Sequence, residues 1–379
     1  MKINLIGFKG DFSSSNGSGV GRYSYELYNN LDFWTRSKGT SNNIVQKYKK
    51  TVNVRFIEIS PLFNKYSVLT NFIAAYKFML FDVNSKADIW HFVTHNPAIN
   101  GNFFRINKRA KITIATAIEF GYLNTFKTSK LGYEEFVSNK FKIKDVLGWE
   151  ILQLILKGTL GADYLIAISS QTKNEAIKLG YPEDKISVVN LGLDDRYIKP
   201  FKLEETKEIF KVGYIGTLRK RKNVKFAIEA INLIDDKKVY FDIYGKGPDY
   251  KYLNGIIKNK NISMKGFAPE DKIVDIYDSF DVYVHPVMYT GFELEILEAQ
   301  SRGLPVIIYK YGKIPKEVRK YCFEAESPEH MAQIIEDLKE NGYNEKLRNE
   351  ATEYARSFTW ERCARETLEV YKKVYNKYY

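Results

Sequence analysis

The densest run of chemically useful residues is Thr290-Gly291-Phe292-Glu293-Leu294-Glu295-Ile296-Leu297-Glu298-Ala299-Gln300-Ser301-Arg302-Gly303-Leu304-Pro305-Val306, directly after an apolar run that ends at His285-Pro286. It reads as loop, helix, then strand. Gly291 lets backbone approach a ligand closely, and a helix opening near Phe292 to Leu294 turns N–H groups towards phosphate or sugar oxygens. Glu298 lies about one turn further in, where its carboxylate offers two acceptor atoms to vicinal ribose hydroxyls. A solvated acidic helix start, stabilised by the macrodipole, accounts for each acid singly but not for the whole run.

A second segment, Val212-Gly213-Tyr214-Ile215-Gly216-Thr217-Leu218-Arg219-Lys220-Arg221-Lys222-Asn223, is an apolar strand ending in glycine, followed by a basic turn that opens a helix. Cations in such a turn are placed to face a diphosphate. For Lys222, Arg219 and Arg221 individually, a solvated charge run is the competing reading.

Near the N-terminus, Gly17-Ser18-Gly19-Val20-Gly21-Arg22-Tyr23 sits between the first strand and a helix, so the amide of Gly19 can face a ligand. A plain tight turn explains it equally simply. A nicotinamide fingerprint is excluded, because the strict Gly-x-Gly-x-x-Gly spacing is absent and Glu58 on the second strand comes too late. Glu119, after the strand Ile112 to Ala117, is a polar candidate, and His91 and His95 are nearby polar candidates. A histidine at a strand end is more often hydrogen-bonded structure. With four histidines in the chain and no Ser-His-Asp or Cys-His set, hydrolase chemistry of those kinds is disfavoured. Cys322 and Cys363 lack the paired spacing of a metal site, so no metal and no disulfide is expected.

These residues need elements to hold them. Ile3 to Phe8, Val54 to Ile59, Ile89 to Val93, Ile112 to Ala117, Tyr164 to Ile168 and Ile186 to Val189 read as strands with helices between most of them. Near-continuous apolar strands alternating with helices indicate parallel sheets covered on both faces. After a charged stretch, Asp194 to Lys211, the rhythm resumes with Val212 to Gly216, Val239 to Tyr244, Ile262 to Lys265, Val282 to His285 and Val306 to Tyr309. The expectation is an α/β chain of two doubly wound, Rossmann-like domains, 1–194 and 195–357, facing across a ligand cleft. Residues 358–379 form a further helix, with Leu368, Tyr371, Val374 and Tyr375 on one face, that returns to the first domain. Its basic aromatic end, Lys372 to Tyr379, also suits lipid headgroups.

A length of 379 residues and 44% hydrophobic content fit two globular domains. The net charge of +12 calls for an anionic partner. Lysines are spread along the chain without any nucleic-acid-binding motif, so a phosphorylated small molecule or anionic lipid is expected rather than nucleic acid. Val68 to Leu80, broken by Lys77, is too short to span a bilayer. A cytoplasmic setting is expected, with peripheral contact to an anionic membrane.

The run from Thr290 to Val306 resembles the donor motif of family 4 of the retaining glycosyltransferases: an acid, Gly-Phe-Gly-Leu-Pro, two residues, Glu-Ala, a small-residue helix and Gly-x-Pro-Val. The Gly216 to Lys222 segment resembles that family's Gly-Arg-Leu, three residues, Lys. Tyr244-Gly245-Lys246-Gly247-Pro248 and Val188-Val189-Asn190-Leu191-Gly192-Leu193-Asp194 resemble its Gly-x-Gly-Pro turn and interdomain loop. The resemblance covers most of the chain, densely from Gly161 to Val306 and sparsely between Phe33 and Leu160.

The resemblance implies the GT-B fold and transfer of a hexose from a uridine- or guanosine-linked nucleoside-diphosphate sugar to a sugar or lipid-linked acceptor, with retained configuration and no cofactor beyond that donor. It assigns Glu298 to the nucleotide ribose and Lys222 to the departing diphosphate, the two catalytic candidates. Gly19, Gly216, Thr217, Arg221, Thr290, Gly291, Phe292, Glu293 and Leu294 are implied around the donor, and Glu119 and His95 towards the acceptor. The family's first acid falls on Thr290, its arginine on Thr217 and its His-Asp pair on Ile118-Glu119. These departures make binding of nucleotide or glycan without turnover the alternative function.

Overall fold

Parallel strands buried on both faces require unbroken apolar runs, and this chain supplies them twice. A computed structural model describes residues 1–8, 19–36, 52–59, 86–93, 110–136, 143–199 and 208–378. The chain divides into two compact units: Met1–Gly192 together with Trp360–Tyr379, and Leu193–Thr359.

The first unit holds β1 (Lys2–Phe8), β2 (Asn53–Ile59), β3 (Ala87–Phe92), β4 (Ala110–Ala117), β5 (Tyr164–Ala167) and β6 (Ile186–Val188). They form one parallel sheet in the order β2-β1-β3-β4-β5-β6. Trp90, Phe92, Ala115, Phe120 and Leu165 fill the core on one face. The chain leaves β1 in one direction to β2 and returns on its other side to β3, so the topological switch lies between β1 and β3.

Helix Trp360–Tyr378 completes this unit. Cys363, Ala364, Thr367, Leu368, Tyr371 and Val374 recur at three- and four-residue spacing and are all buried. Tyr371 fixes the helix to the sheet, since its hydroxyl lies 2.5 Å from His91 Nδ1. The Nε2 of His91 is 2.8 Å from the Thr116 hydroxyl, which also meets Tyr23 at 2.8 Å. His91, a polar candidate by sequence, is therefore a fully buried structural residue, and burial pushes its pKa down to about 3, so the ring is neutral.

The second unit holds β7 (Phe210–Ile215), β8 (Val239–Tyr244), β9 (Ile262–Gly266), β10 (Val282–His285), β11 (Val306–Tyr309) and β12 (Phe323–Ala325). Their order, β12-β11-β10-β7-β8-β9, is parallel throughout and switches direction between β7 and β10. Gly213 on β7 lies under Phe280, whose ring carbon would be 2.1 Å from an added Cβ. The start of the charged stretch is docked here: Tyr197 is fully buried against Tyr277, and Arg302 donates to the carbonyls of Tyr197 at 3.3 Å and Lys199 at 2.5 Å. Arg302 also pairs with Asp278 at 2.6 Å.

Among the described residues no helix is long and apolar enough to cross a membrane. Val68 to Leu80 lies outside them.

Candidate functional site

In open α/β sheets the crevice at the carboxyl ends of the two strands flanking the switch is where ligands bind. In the second unit those strands are β7 and β10, and the loops leaving them carry both segments singled out by sequence. The loop after β7 is laid tightly on the loop after β8: Gly216 N donates to Tyr244 O and Leu218 N to Lys246 O, each at 3.0 Å. A Cβ on Gly245 would sit 1.9 Å from the Gly216 carbonyl oxygen, and one on Gly247 2.1 Å from that of Leu218. Only glycine permits this approach.

Leu218 is fully buried and anchors the loop, after which a single 3-10 turn, Lys220–Lys222, leads through Asn223 in the left-handed region (φ 53°) into helix Val224–Leu233. The turn points Arg219 and Lys220 outward and Lys222 inward, where it is 4% exposed. Met288 N donates to the Arg221 carbonyl at 2.8 Å, which ties the loop after β10 to this turn.

The inward side of that junction is a charged cluster on Glu293, itself 3% exposed. Lys222 Nζ lies 2.5 Å from Glu293 Oε2 and 3.6 Å from Glu295 Oε1. Arg221 approaches Glu293 Oε1 to 3.6 Å, and His285 Nε2 is 3.0 Å from Oε2. Burial alone would push the Glu293 carboxyl up, but Lys222, His285 and Arg221 hold it well below the usual carboxylate range. Tyr283 donates its proton to the Ile215 carbonyl at 2.8 Å, so its oxygen can only accept from His285 Nδ1 at 3.1 Å. Both ring nitrogens of His285 thus face acceptors.

Glu298 sits on helix Leu294–Ser301, seven of whose eight residues are buried. Tyr277 donates a 2.9 Å hydrogen bond to Glu298 Oε2. Burial and the Glu298 charge push the Tyr277 phenol well above its ordinary value, so it stays a donor. The rings of Tyr277, Tyr283, His285 and Tyr214 follow one another at centroid distances of 5.4, 5.7 and 6.0 Å and form a row that links the Glu298 end of the site to the Glu293 end.

The structure brings Lys222, Arg221 and Glu293 into direct contact, and Thr290, Gly291 and Leu294 are buried in the adjoining segment. Gly216 is half-buried, whereas Thr217 is exposed and takes part through its carbonyl, which accepts from Tyr214 at 3.0 Å. Phe292 is half-buried with its ring 6.2 Å from that of Phe358. Gly19 and Glu119 belong to the first unit, where Gly19 opens helix Gly19–Arg36 and half-buried Glu119 follows β4. His95 lies outside the described residues. Sequence reasoning assigned no role to His285 or Tyr277. The position of His285 at the end of a strand flanking the switch was the available signal.

His285, Glu293 and Glu295 bring one ligand atom each within 4.8 Å of one another, a spacing that suits a cation. The Lys222 ammonium already compensates both carboxylates there.

Residues 195–358 match the model of the family described as glycosyl transferases group 1. The chain is 26% identical over 231 residues to the O-antigen chain mannosyltransferase B of Escherichia coli, an alignment covering 56% of this chain and 61% of that protein. It thus spans about three-fifths of that relative's length. Among solved structures, a glycosyltransferase from Rickettsia africae superposes with a TM-score of 0.65 at 18% identity, covering 98% of each chain. The sucrose-phosphate synthase of Thermosynechococcus elongatus superposes with a TM-score of 0.70 at 15% identity, covering 99% of each. These likenesses establish the GT-B fold class of paired parallel sheets. Within residues 195–358, the chain is similar to the glycosyl transferases group 1 family.

Proposed function

We propose that the protein transfers a hexose from a nucleoside-diphosphate sugar, uridine- or guanosine-linked, to a sugar or lipid-linked acceptor with retention of anomeric configuration. The observation that carries this reading is the placement of a buried carboxylate, Glu298, and two cations, Lys222 and Arg221, on the loops and helix at the β7–β10 switch. In this reading Glu298 accepts from the ribose hydroxyls, and Lys222 and Arg221 meet the diphosphate. The leaving phosphate removes the proton of the acceptor hydroxyl on the same face of the sugar, so no protein nucleophile is required. The protein supplies position and charge. The relative's name, a mannosyltransferase, accords with a hexosyl donor.

Incubation with labelled UDP- and GDP-hexoses, with sugar and lipid-linked acceptors, tests it. Transfer product with retained configuration supports the reading, turnover onto inorganic phosphate marks a phosphorylase, and lipid flotation tests contact with anionic membrane. A second reading, binding without turnover, is favoured by the compensation of Lys222 by Glu293 and Glu295. Saturable nucleotide binding with no transfer to any acceptor distinguishes it.

A further inference from the structure

We infer that Glu293 is an internal anion that competes with the donor's diphosphate for Lys222 and Arg221, and so sets how tightly the site holds nucleoside diphosphates. The inference rests on the donor reading of this site and adds a regulator of its affinity.

The geometry is specific. Glu293 precedes helix Leu294–Ser301 and turns its side chain into the junction of the two loops, where Lys222 and Arg221 from the turn after β7 and His285 from the end of β10 converge on its two oxygens. Lys222 also lies near Glu295, so the two cations of the turn that point towards the crevice are matched by two carboxylates. A buried ammonium without a partner is costly, and this pairing satisfies Lys222 within the protein itself.

A diphosphate that enters must therefore take the Lys222 and Arg221 donors from Glu293 rather than meet uncompensated charge. Attraction between phosphate oxygens and the two cations is offset by repulsion from Glu293, whose carboxylate stays fixed by His285. The offset acts on the phosphates alone. It lowers affinity for donor and for the nucleoside diphosphate product together, and so favours product release.

Glu293→Gln keeps the side-chain volume and an acceptor for Lys222 and His285 while removing the charge. Equilibrium binding of inorganic pyrophosphate, UDP, GDP, uridine and guanosine to the full chain compares wild type with this variant. The expected result is pyrophosphate, and whichever nucleotide binds, held about tenfold tighter by Glu293→Gln with a steeper loss on adding salt, while nucleoside affinity is unchanged. Glu293→Asp, which restores the charge, stays near wild type. Glu295→Gln, farther from Lys222, gives the same change at about twofold and serves as the test if Glu293→Gln does not fold.

Pyrophosphate affinity that is unchanged or weaker in a folded variant overturns the inference, as does a parallel change in nucleoside affinity. Failure of the donor reading looks different. In that case wild type binds neither UDP nor GDP, or nucleotide binding persists undiminished in Lys222→Ala and Glu298→Ala.

Discussion

The hydroxyl of Tyr277 donates to Oε2 of Glu298 across 2.9 Å in a fully buried setting, so the orientation of the carboxylate assigned to the nucleotide ribose is set by a residue on a different helix. Tyr277→Phe removes that donor while keeping the ring packing. The loss of a buried hydrogen bond to a charged group costs about 1.5–3 kcal/mol. Thermal unfolding should show that loss, and UDP or GDP titration should show binding weakened about fivefold, less than in Glu298→Ala.

Lys222→Ala slows transfer more than it weakens nucleotide binding, because charge on the diphosphate grows towards the transition state. Steady-state rates set beside equilibrium dissociation constants give the comparison. The same substitution strips Glu293 of its nearest cation and destabilises the protein by about 3–5 kcal/mol, the cost of breaking a buried pair. The double variant Lys222→Ala/Glu293→Gln recovers most of that stability, measured by denaturant unfolding. Equal stability of the single and double variants would remove the ion pair from the account.

The depressed pKa of Glu293 makes a prediction about acid. Burial opposes its ionisation, and Lys222, His285 and Arg221 overcome that, so the folded protein keeps the carboxylate charged at a pH where the unfolded chain, with its ordinary value of 4.5, takes up a proton. Its contribution to stability is present above that ordinary value and is lost as pH falls through the depressed one. Acid titration followed by circular dichroism should therefore place the unfolding midpoint of Lys222→Ala at higher pH than that of wild type.

His91 gives a dependence in a higher window. The unfolded ring protonates below its ordinary 6.5, whereas the buried ring resists until about 3. The unfolded chain thus binds more protons between those values, and the stability supplied by neutral His91 is full above 6.5 and declines as pH falls towards 3. The difference in melting temperature between wild type and His91→Gln should be widest at neutrality and narrow on acidification.

Gly245→Ala places a methyl group 1.9 Å from the Gly216 carbonyl oxygen, a backbone atom that cannot rotate away. The two loops must separate, which destabilises the fold by about 1–3 kcal/mol and weakens nucleotide binding with it. Gly255→Ala meets no atom within 4 Å and provides the matched control, with stability unchanged or slightly raised.

The strands β8, β10 and β11 were legible to the residue, because an apolar run bounded by polar or turn residues leaves one placement. β12 was not: Phe323-Glu324-Ala325 is three residues long with a charge at its centre, and its pairing with β11 makes it a strand. The helix opening near Leu294 followed from the motif, whereas the burial of Glu298 on it is a finding of the structure. The contact between Lys222 and Glu293 did not, since 71 residues separate them and only the adjacency of β7 and β10 joins their loops. Tyr197 was hidden for a related reason, because it lies inside the charged stretch Asp194 to Lys211 while its side chain packs against Tyr277, 80 residues further along the chain.

The row Tyr277, Tyr283, His285, Tyr214 has a consequence for selectivity. Each ring turns about only two side-chain bonds, and packed neighbours hold those bonds still. The interval from Glu298 to Lys222 is then a stiff gauge rather than an adjustable grip. On the proposed donor reading, ligands would be sorted by the length between sugar ring and outer phosphate, and a nucleoside monophosphate, too short to reach both ends, would be passed over whatever its base.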